Sequence, residues 1–484
     1  MQKSEFFAIL ICYFHFSVIN WHKKVKQRIK MAYQYSPSAV SEKKVDRASV
    51  GLQISHMLYV IVSIFASTFL ISYIVSVNAE NPLSTSIVSI AIYYISQFVV
   101  FGISYFLMSF IVDKTSRVWI YRFGILLFGA FIVMVIFVGK ELSKYIVLAG
   151  ALYGLSEGVF YSAYNVLKGE MVPRRNMSRY STLCLILDRV VRVVFPILMG
   201  FLIDNSTFSI VAIYVLVLVA IQLCITFMIK SQRPENSSFD FFAYLKSLKS
   251  KNQDMVRIKR IYHVSWLYGF KTIFNTLFSI ITIYTFKTNF KLGFFTSICA
   301  VVSIAGLLLF KKFTKEGSRA PIYFSLSMLL FFSIVGFTLF MNKWTYLVYA
   351  LISAVSLNIL ANGVDIQRNL IVKKTGHYSD IAEHNCVVEL IFTISRIVSY
   401  SLMLVLGLTL DLLGIKICLI ICSSVMPIMA IMLSKMEKIE CKFSLENPTE
   451  AITHVGKESA KNSIENSESK ESVEEAEEID IFDE

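Results

Sequence analysis

The chain has 484 residues, 55% of them hydrophobic and only 17% charged, with a mean hydropathy of +0.62; a water-soluble fold of this length needs far more polar surface. Its 47 Lys and Arg against 34 Asp and Glu leave a formal charge of +13, but no base-stacking or groove-reading module accompanies that charge, so no nucleic acid is expected as a partner. Apolar runs of about twenty residues between short polar breaks are membrane-spanning helices, because backbone in lipid must satisfy its own hydrogen bonds. Continuous runs also exclude a membrane barrel, whose strands are short and alternating.

In chain order, Phe6 to Asn20 is apolar but short for a span. Lys3 precedes it, and no small-residue cleavage site lies before the Lys23–Lys30 cluster. It reads as an interfacial segment or an over-extended start ahead of Met31, not as a cleaved signal. Helices are predicted at about 50–77, 85–112, 118–139, 144–167, 181–203 and 207–230. A polar stretch from Ser231 to Arg260 follows, then helices at about 262–286, 292–310, 321–342, 344–367, 384–410 and 415–435. The tail after Met436 is polar and acidic, ending near Glu474-Glu475-Ala476-Glu477-Glu478, and reads as solvated and disordered.

Basic residues fall on one set of loops: Lys114, Arg117 and Arg122; Lys168, Arg174, Arg175 and Arg179; the 231–260 stretch; Lys311, Lys312, Lys315 and Arg319; Lys373 and Lys374. The opposite loops hold only Lys140, Lys144, Lys287, Lys291, Lys343 and Lys416. The basic set is expected in the cytoplasm of a multi-pass cell-membrane protein, with both termini on that side. Charge of this kind sets topology and attracts lipid headgroups.

The eight cysteines show no metal-ligand spacing; Cys184, Cys224, Cys299, Cys386, Cys418 and Cys422 fall in predicted helices, where apolar packing is their expected role. No phosphate-binding glycine loop, HExxH or GxSxG is present. Neither a cofactor nor an enzymatic activity is expected.

Before the third predicted helix the chain reads Asp113-Lys-Thr-Ser-Arg-Val-Trp-Ile-Tyr121, and before the ninth Lys315-Glu-Gly-Ser-Arg-Ala-Pro-Ile-Tyr323. Ser-Arg-x-x-Ile-Tyr therefore recurs at the same place in each group of six helices, the mark of a duplicated half. The predicted fold is an all-α polytopic membrane protein of about twelve transmembrane helices in two six-helix halves. Its divisions are a basic segment 1–48, an N-terminal half 49–230, a central loop 231–261, a C-terminal half 262–435 and a tail 436–484.

Over about residues 48 to 435 the chain resembles the major facilitator superfamily, whose members pair two six-helix halves. The family's loop motif, Gly, three residues, Asp, Arg, any, Gly, any or basic, basic, is met here by Ser109-Phe-Ile-Val-Asp113-Lys114-Thr-Ser116-Arg117, with both glycines replaced by serine. The resemblance implies that Asp113, Lys114 and Arg117 latch the halves together on the cytoplasmic side. It also implies that helices one, four, seven and ten line a central cavity. Proton-coupled members usually carry an Arg in the fourth helix, and this chain carries Glu157 instead.

Polar stripes mark those same four helices. Gly150, Gly154, Glu157, Gly158, Tyr161 and Asn165 share one face of the fourth. Ser63 and Ser67 mark the first, Lys271, Asn275 and Thr282 the seventh, and Asn358, Asn362 and Asp365 the tenth. A carboxyl near mid-membrane is expensive and faces a cavity or a partner; glycines four apart admit a close helix. The substrate-cavity candidates are Ser63, Ser67, Glu157, Tyr161, Asn165, Lys271, Asn275, Asn358 and Asn362. Asp188, Arg189 and Arg192 open the fifth predicted helix near the cytoplasm, and Glu389 and Arg396 lie two turns apart in the eleventh. Asp188, Arg192 and Glu389 are expected as salt bridges across the gate, with Asp365 beside them; Arg396 is deeper, and an anion contact is an equal alternative there.

The expected function is secondary active transport of a small solute by alternating access, by a monomer whose partners are that small-molecule substrate, a coupling proton and membrane lipid. A lipid or lipid-linked sugar flippase and a polytopic membrane enzyme are the alternatives.

Overall fold

The computed structural model describes residues 47–446 apart from 78–82, 113, 172–173, 230–238, 251, 287, 315–318 and 375–380. The expectations for the N-terminal segment before Arg47, the tail after Glu446 and Asp113 lie outside the described residues; residues 437–446, read as disordered tail, are instead helical and continue the last span. From Ala48 onward the chain is one compact unit, and every element among its described residues is helical.

Among the described residues, ten helices are long and apolar enough to cross a membrane: Ser49–Val77, Thr85–Val112, Arg117–Val138, Glu141–Lys168, Phe208–Met228, Asn289–Phe313, Ala320–Phe340, Lys343–Arg368, Ala382–Leu410 and Leu413–Ile439. They are spans one to four, six and eight to twelve. The fifth and seventh predicted spans are helical too, but for physical reasons do not look like spans. The fifth, Arg174–Asn205, carries Arg174, Arg175, Arg179, Asp188 and Arg189 in its first half and Arg192 just beyond it. The seventh is broken at Phe270 and Lys271 into Gln253–Gly269 and Thr272–Phe286, neither long enough alone.

Within the spans and the central loop, three features differ from the sequence reading. The stretch read as a polar loop is helical over Phe241–Ser247, with Asp240 capping the Ala243 amide at 2.9 Å, and again from Gln253. The fifth helix starts at Arg174, not near 181. The first span passes through a π-helical turn at Phe65–Phe69, which contains Ser67.

The two halves repeat one pattern of packing. In the first half, Gly150, Gly154 and Gly158 of span four press on the backbone and side chains of Tyr93, Gln97 and Ser104 in span two. Arg122 of span three donates to Thr226 at the end of span six, Nε to Oγ1 and Nη2 to the carbonyl, both at 3.1 Å. In the second half, Gly306 of span eight lies against Val355 of span ten, and Gly363 of span ten against Tyr323 of span nine. Arg319 before span nine reaches Glu437 of span twelve at 3.9 Å, and Ser434 donates to the Ala320 carbonyl at 3.1 Å. Tyr121 and Tyr323, the last residues of the two sequence repeats, are both buried against the fourth helix of their own half.

The halves meet along two seams. Spans two and eleven run antiparallel in a constant register: Val88 against Gly407, Tyr94 stacked on Tyr400 at 4.6 Å, Phe98 under Arg396, and Gly102 against Thr393. Helix five packs on span eight, where Gly293 lies so near the Pro196 carbonyl that a Cβ would collide with it. The loops with the basic set define one face of the molecule, called here the basic face.

Candidate functional site

Glu157 lies midway along span four, partly exposed. Gln97 Nε2 of span two donates to its Oε2 at 2.7 Å, and the Tyr59 hydroxyl of span one to its Oε1 at 3.5 Å. The glycine seam makes the first bond possible, because only bare backbone lets span two come this close. Around the acid stand rings: Tyr59 is stacked on Phe160 at 3.7 Å and edge-on to Tyr161 at 5.5 Å. Among the described residues Glu157 makes no salt bridge, with Lys271 or any other cation; Arg396 acts on it across the half interface at longer range.

Lys271 occupies the break in helix seven. Its ammonium touches the Tyr268 hydroxyl and lies 3.8 Å over that ring. Tyr268 meets Phe392 edge-on at 5.8 Å, and the Arg396 guanidinium lies between Phe392 and Phe98, 5.7 and 5.2 Å from their centroids. Arg189 of helix five donates from Nη1 to Asn358 Oδ1 of span ten at 3.2 Å, a bond between the halves.

Other predicted residues turn to their own helix or half. Ser63 and Ser67 donate to the Val60 and Ser63 carbonyls at 2.9 and 2.7 Å. Asn165 Nδ2 donates to Tyr105 of span two at 3.2 Å. Asn275 and Asp365 are exposed and Asn362 is partly exposed. In this conformation the gate carboxylates pair inside their own halves: Asp188 with Arg192 one turn on, at 3.0 Å, and Glu389 with Arg368 of span ten, at 3.6 Å. Arg117 is buried at the start of span three and Lys114 is exposed beside it.

Away from the basic face the halves are clamped shut. Asp204, at the end of helix five, accepts from Asn289 N and Nδ2 at 3.0 Å each and from Phe290 N at 2.8 Å, capping span eight. Ser72 of span one donates to Asn289 Oδ1 at 2.5 Å. Asp204→Ala should open this end. The lost charge-assisted bonds are exposed, so about 1 kcal/mol net is expected, roughly a fivefold population shift. Maleimide labelling of Ser72→Cys in the Asp204→Ala background should quicken by that factor; an unchanged rate would show that the clamp carries no gating energy.

Paired six-helix halves, a central polar cluster with groups from both, and closure at one end are joined by a direct match in sequence. A family profile described as the Major Facilitator Superfamily matches residues 57–378. The chain belongs to this superfamily. It is a polytopic membrane transporter and not an enzyme. The transporter is similar to an uncharacterized protein YqgE of Bacillus subtilis (strain 168), 23% identical over 282 residues, 57% of this chain and 64% of that one. The match thus spans less than two thirds of that relative's length.

Solved structures share the transporter's fold. A POT family transporter in complex with 5-aminolevulinic acid has TM-score 0.62 and 13% identity, over 80% of this chain and 95% of that one. A bacterial homologue of the iron transporter ferroportin in its inward-facing state has TM-score 0.58 and 15% identity, over 81% and 98%. Nucleoside transporter NupG has TM-score 0.57 and 14% identity, over 80% and 98%. At these identities the likeness is one of fold.

Sequence reasoning missed Gln97, Tyr59, Tyr268 and Asp204, and placed Arg189 too near the basic face. A lone Gln among the apolar residues of span two was a usable signal for Gln97. For Arg189 the error was the helix start: from Arg174, rather than about 181, Arg189 falls midway along the helix.

Proposed function

We propose that this transporter is a secondary carrier that moves a small solute across the cell membrane by alternating access, acting as a monomer with both termini in the cytoplasm. The observation that carries the reading is the one-sided closure. Ser72, Asp204 and Asn289 join the halves at one end, while the central Glu157, Lys271, Asn358 and Arg396 stay partly exposed. Rocking of the halves about that centre would release the clamp and close the basic face in turn. Ser63, Ser67, Tyr161, Asn165, Asn275 and Asn362 line the path in this reading. Asp113, Lys114, Arg117, Asp365 and Glu389 re-pair across the basic face when it closes, Asp188 and Arg192, beside Arg189 midway along helix five, stay a pair at the edge of the central site, and Glu157 is the site of a coupling proton. The experiment is accessibility from each side: Asn275→Cys in sealed vesicles should react with impermeant reagents added to either face. Reaction from one face only, under all conditions, removes alternating access.

Orientation follows from the excess of Lys and Arg on the basic face. Lys249 and Lys144 are both exposed, on loops of opposite sets. In whole cells, Lys144→Cys should label with an impermeant maleimide and Lys249→Cys only after permeabilisation. The reverse result inverts the topology; labelling of both from outside breaks the even-span fold.

An apolar cleft lined by Val193, Ile197, Phe294, Ile298 and Val301 opens sideways between helix five and span eight. It favours a lipid or lipid-linked sugar flippase as the second reading. Movement of a fluorescent phospholipid between leaflets of proteoliposomes separates the two.

A further inference from the structure

Three cations meet near the middle of the molecule with no salt bridge to a carboxylate among the described residues. Arg189, on helix five, hydrogen-bonds the Asn358 amide and feels the charge of Asp188, which is itself bonded to Arg192. Lys271, in the break of helix seven, touches Tyr268, and Asp365 is the acid that acts on it from a distance. Arg396, midway along span eleven, has only the faces of Phe98 and Phe392, and its buried Nε finds no hydrogen-bond partner among the described residues. Contacts link two of them: Lys271 lies over the Tyr268 ring, Tyr268 meets Phe392, and Phe392 lies against Arg396; Arg189 is within electrostatic range of Lys271 and Tyr268. Arg192 is also in range but is matched by Asp188. The acids facing the cluster are Glu157, already held by Gln97 and Tyr59, Asp188, bonded to Arg192, and Asp365, near the basic end of span ten. The balance at the centre is positive.

A cation near mid-membrane is costly unless a counter-charge or water meets it. Three from three different spans, all partly exposed, are a place for an anion to bind. The break adds to this: helix Thr272–Phe286 begins directly after Lys271, so the positive end of its dipole lies inside the membrane, as at broken helices that receive anionic groups. The rings of Phe98, Tyr268 and Phe392 beside these charges suit a flat or apolar body.

Resting on the carrier reading above, we propose that Arg189, Lys271 and Arg396 form the substrate-binding site for an organic anion, with the acidic group between the three cations and its body against Phe98, Tyr268 and Phe392.

Charged thiol reagents and a small aromatic anion test this site in place of the natural solute. Asn275 is exposed one turn beyond Lys271. A Cys there is labelled in the purified full chain with the anionic sulfonatoethyl and the cationic trimethylammonioethyl methanethiosulfonates, with the native chain giving the cysteine baseline. Relative to a free thiol, the anionic reagent should be favoured about tenfold, as expected for unit charges several ångströms apart at an effective dielectric near 20. Lys271→Gln and Arg396→Gln should each lower that ratio severalfold, and Lys271→Arg should restore it. Millimolar 4-sulfobenzoate should slow both reagents in the native background and not in Arg396→Gln. A preference for the cationic reagent, no preference, or no protection by 4-sulfobenzoate overturns the anion site. If Asn275→Cys is meanwhile reached from both faces of sealed vesicles, the carrier reading survives that failure; if it is reached from one face only, both fall.

Discussion

Gly154→Val should leave almost no folded transporter, and Gly154→Ala should survive only with a markedly lowered unfolding temperature. A Cβ at Gly154 would collide with the Gln97 carbonyl oxygen and stand 2.8 Å from its carbon. These are backbone atoms of a packed helix, so no side chain can swing aside. The neighbours Gly150 and Gly158 are equally tight, against the Tyr93 carbonyl and the Ser104 hydroxyl, so spans two and four cannot slide to relieve one contact without worsening another. Overpacking of a core costs about 1–3 kcal/mol and occasionally more, and alanine here belongs at the top of that range. Gly336 is the control, since a Cβ there meets nothing within 4 Å and alanine should gain up to about 1 kcal/mol of helix propensity. Thermal unfolding of both variants in one detergent checks the comparison. If Gly154→Ala melts with Gly336→Ala, the close approach that brings Gln97 to Glu157 is wrong.

The spans were legible because lipid leaves a helix no other way to satisfy its backbone. What failed was the edge of the pattern, where helices run out of the membrane. The first part of Gln253–Gly269 carries Asp254, Arg257, Lys259 and Arg260, so mean hydropathy reads residues 253–260 as loop, yet Ile258, Ile261, Val264 and Ser265 are buried on one side of a single helix. Helix periodicity at low mean hydropathy was the signal to use there.

The candidate site was half legible. Polar stripes could be seen on spans one, four, seven and ten, but not which polar groups were already satisfied. Ser63 and Ser67 bond their own preceding turn, as hydroxyls in helices readily do, so spacing alone credits them with more than they offer the cavity. Partners lay beyond local pattern altogether. Gln97 is 60 residues from Glu157, and Arg189 is 169 from Asn358; only the packing of one helix on another brings these together. The duplicated Ser-Arg-x-x-Ile-Tyr did mark equivalent places, because both copies begin the third helix of a half and bury their Tyr against the fourth.

Glu157→Gln should abolish accumulation of solute against its gradient, by about tenfold or more, while sparing exchange down a gradient. The substitution keeps the shape of the side chain and an oxygen that accepts from Gln97 Nε2, the 2.7 Å bond that holds it. It removes only the charge and the ability to take up a proton. That charge reaches across the interface to Arg396, so in the ionised state Glu157 competes with any anion for the field of that guanidinium. Protonation of Glu157 would free Arg396 for the solute, and loss of the proton after the halves rock would weaken its hold on the other side. A proton and an anion would then travel together, which makes uptake depend on the pH gradient. In Gln the site is fixed in the neutral form, so binding persists and the dependence on the gradient disappears. Counterflow and pH-driven uptake in the same proteoliposomes, with radiolabelled solute, separate the two effects. Equal loss of both would make Glu157 a structural or binding residue. An unchanged response to the pH gradient would remove it from coupling.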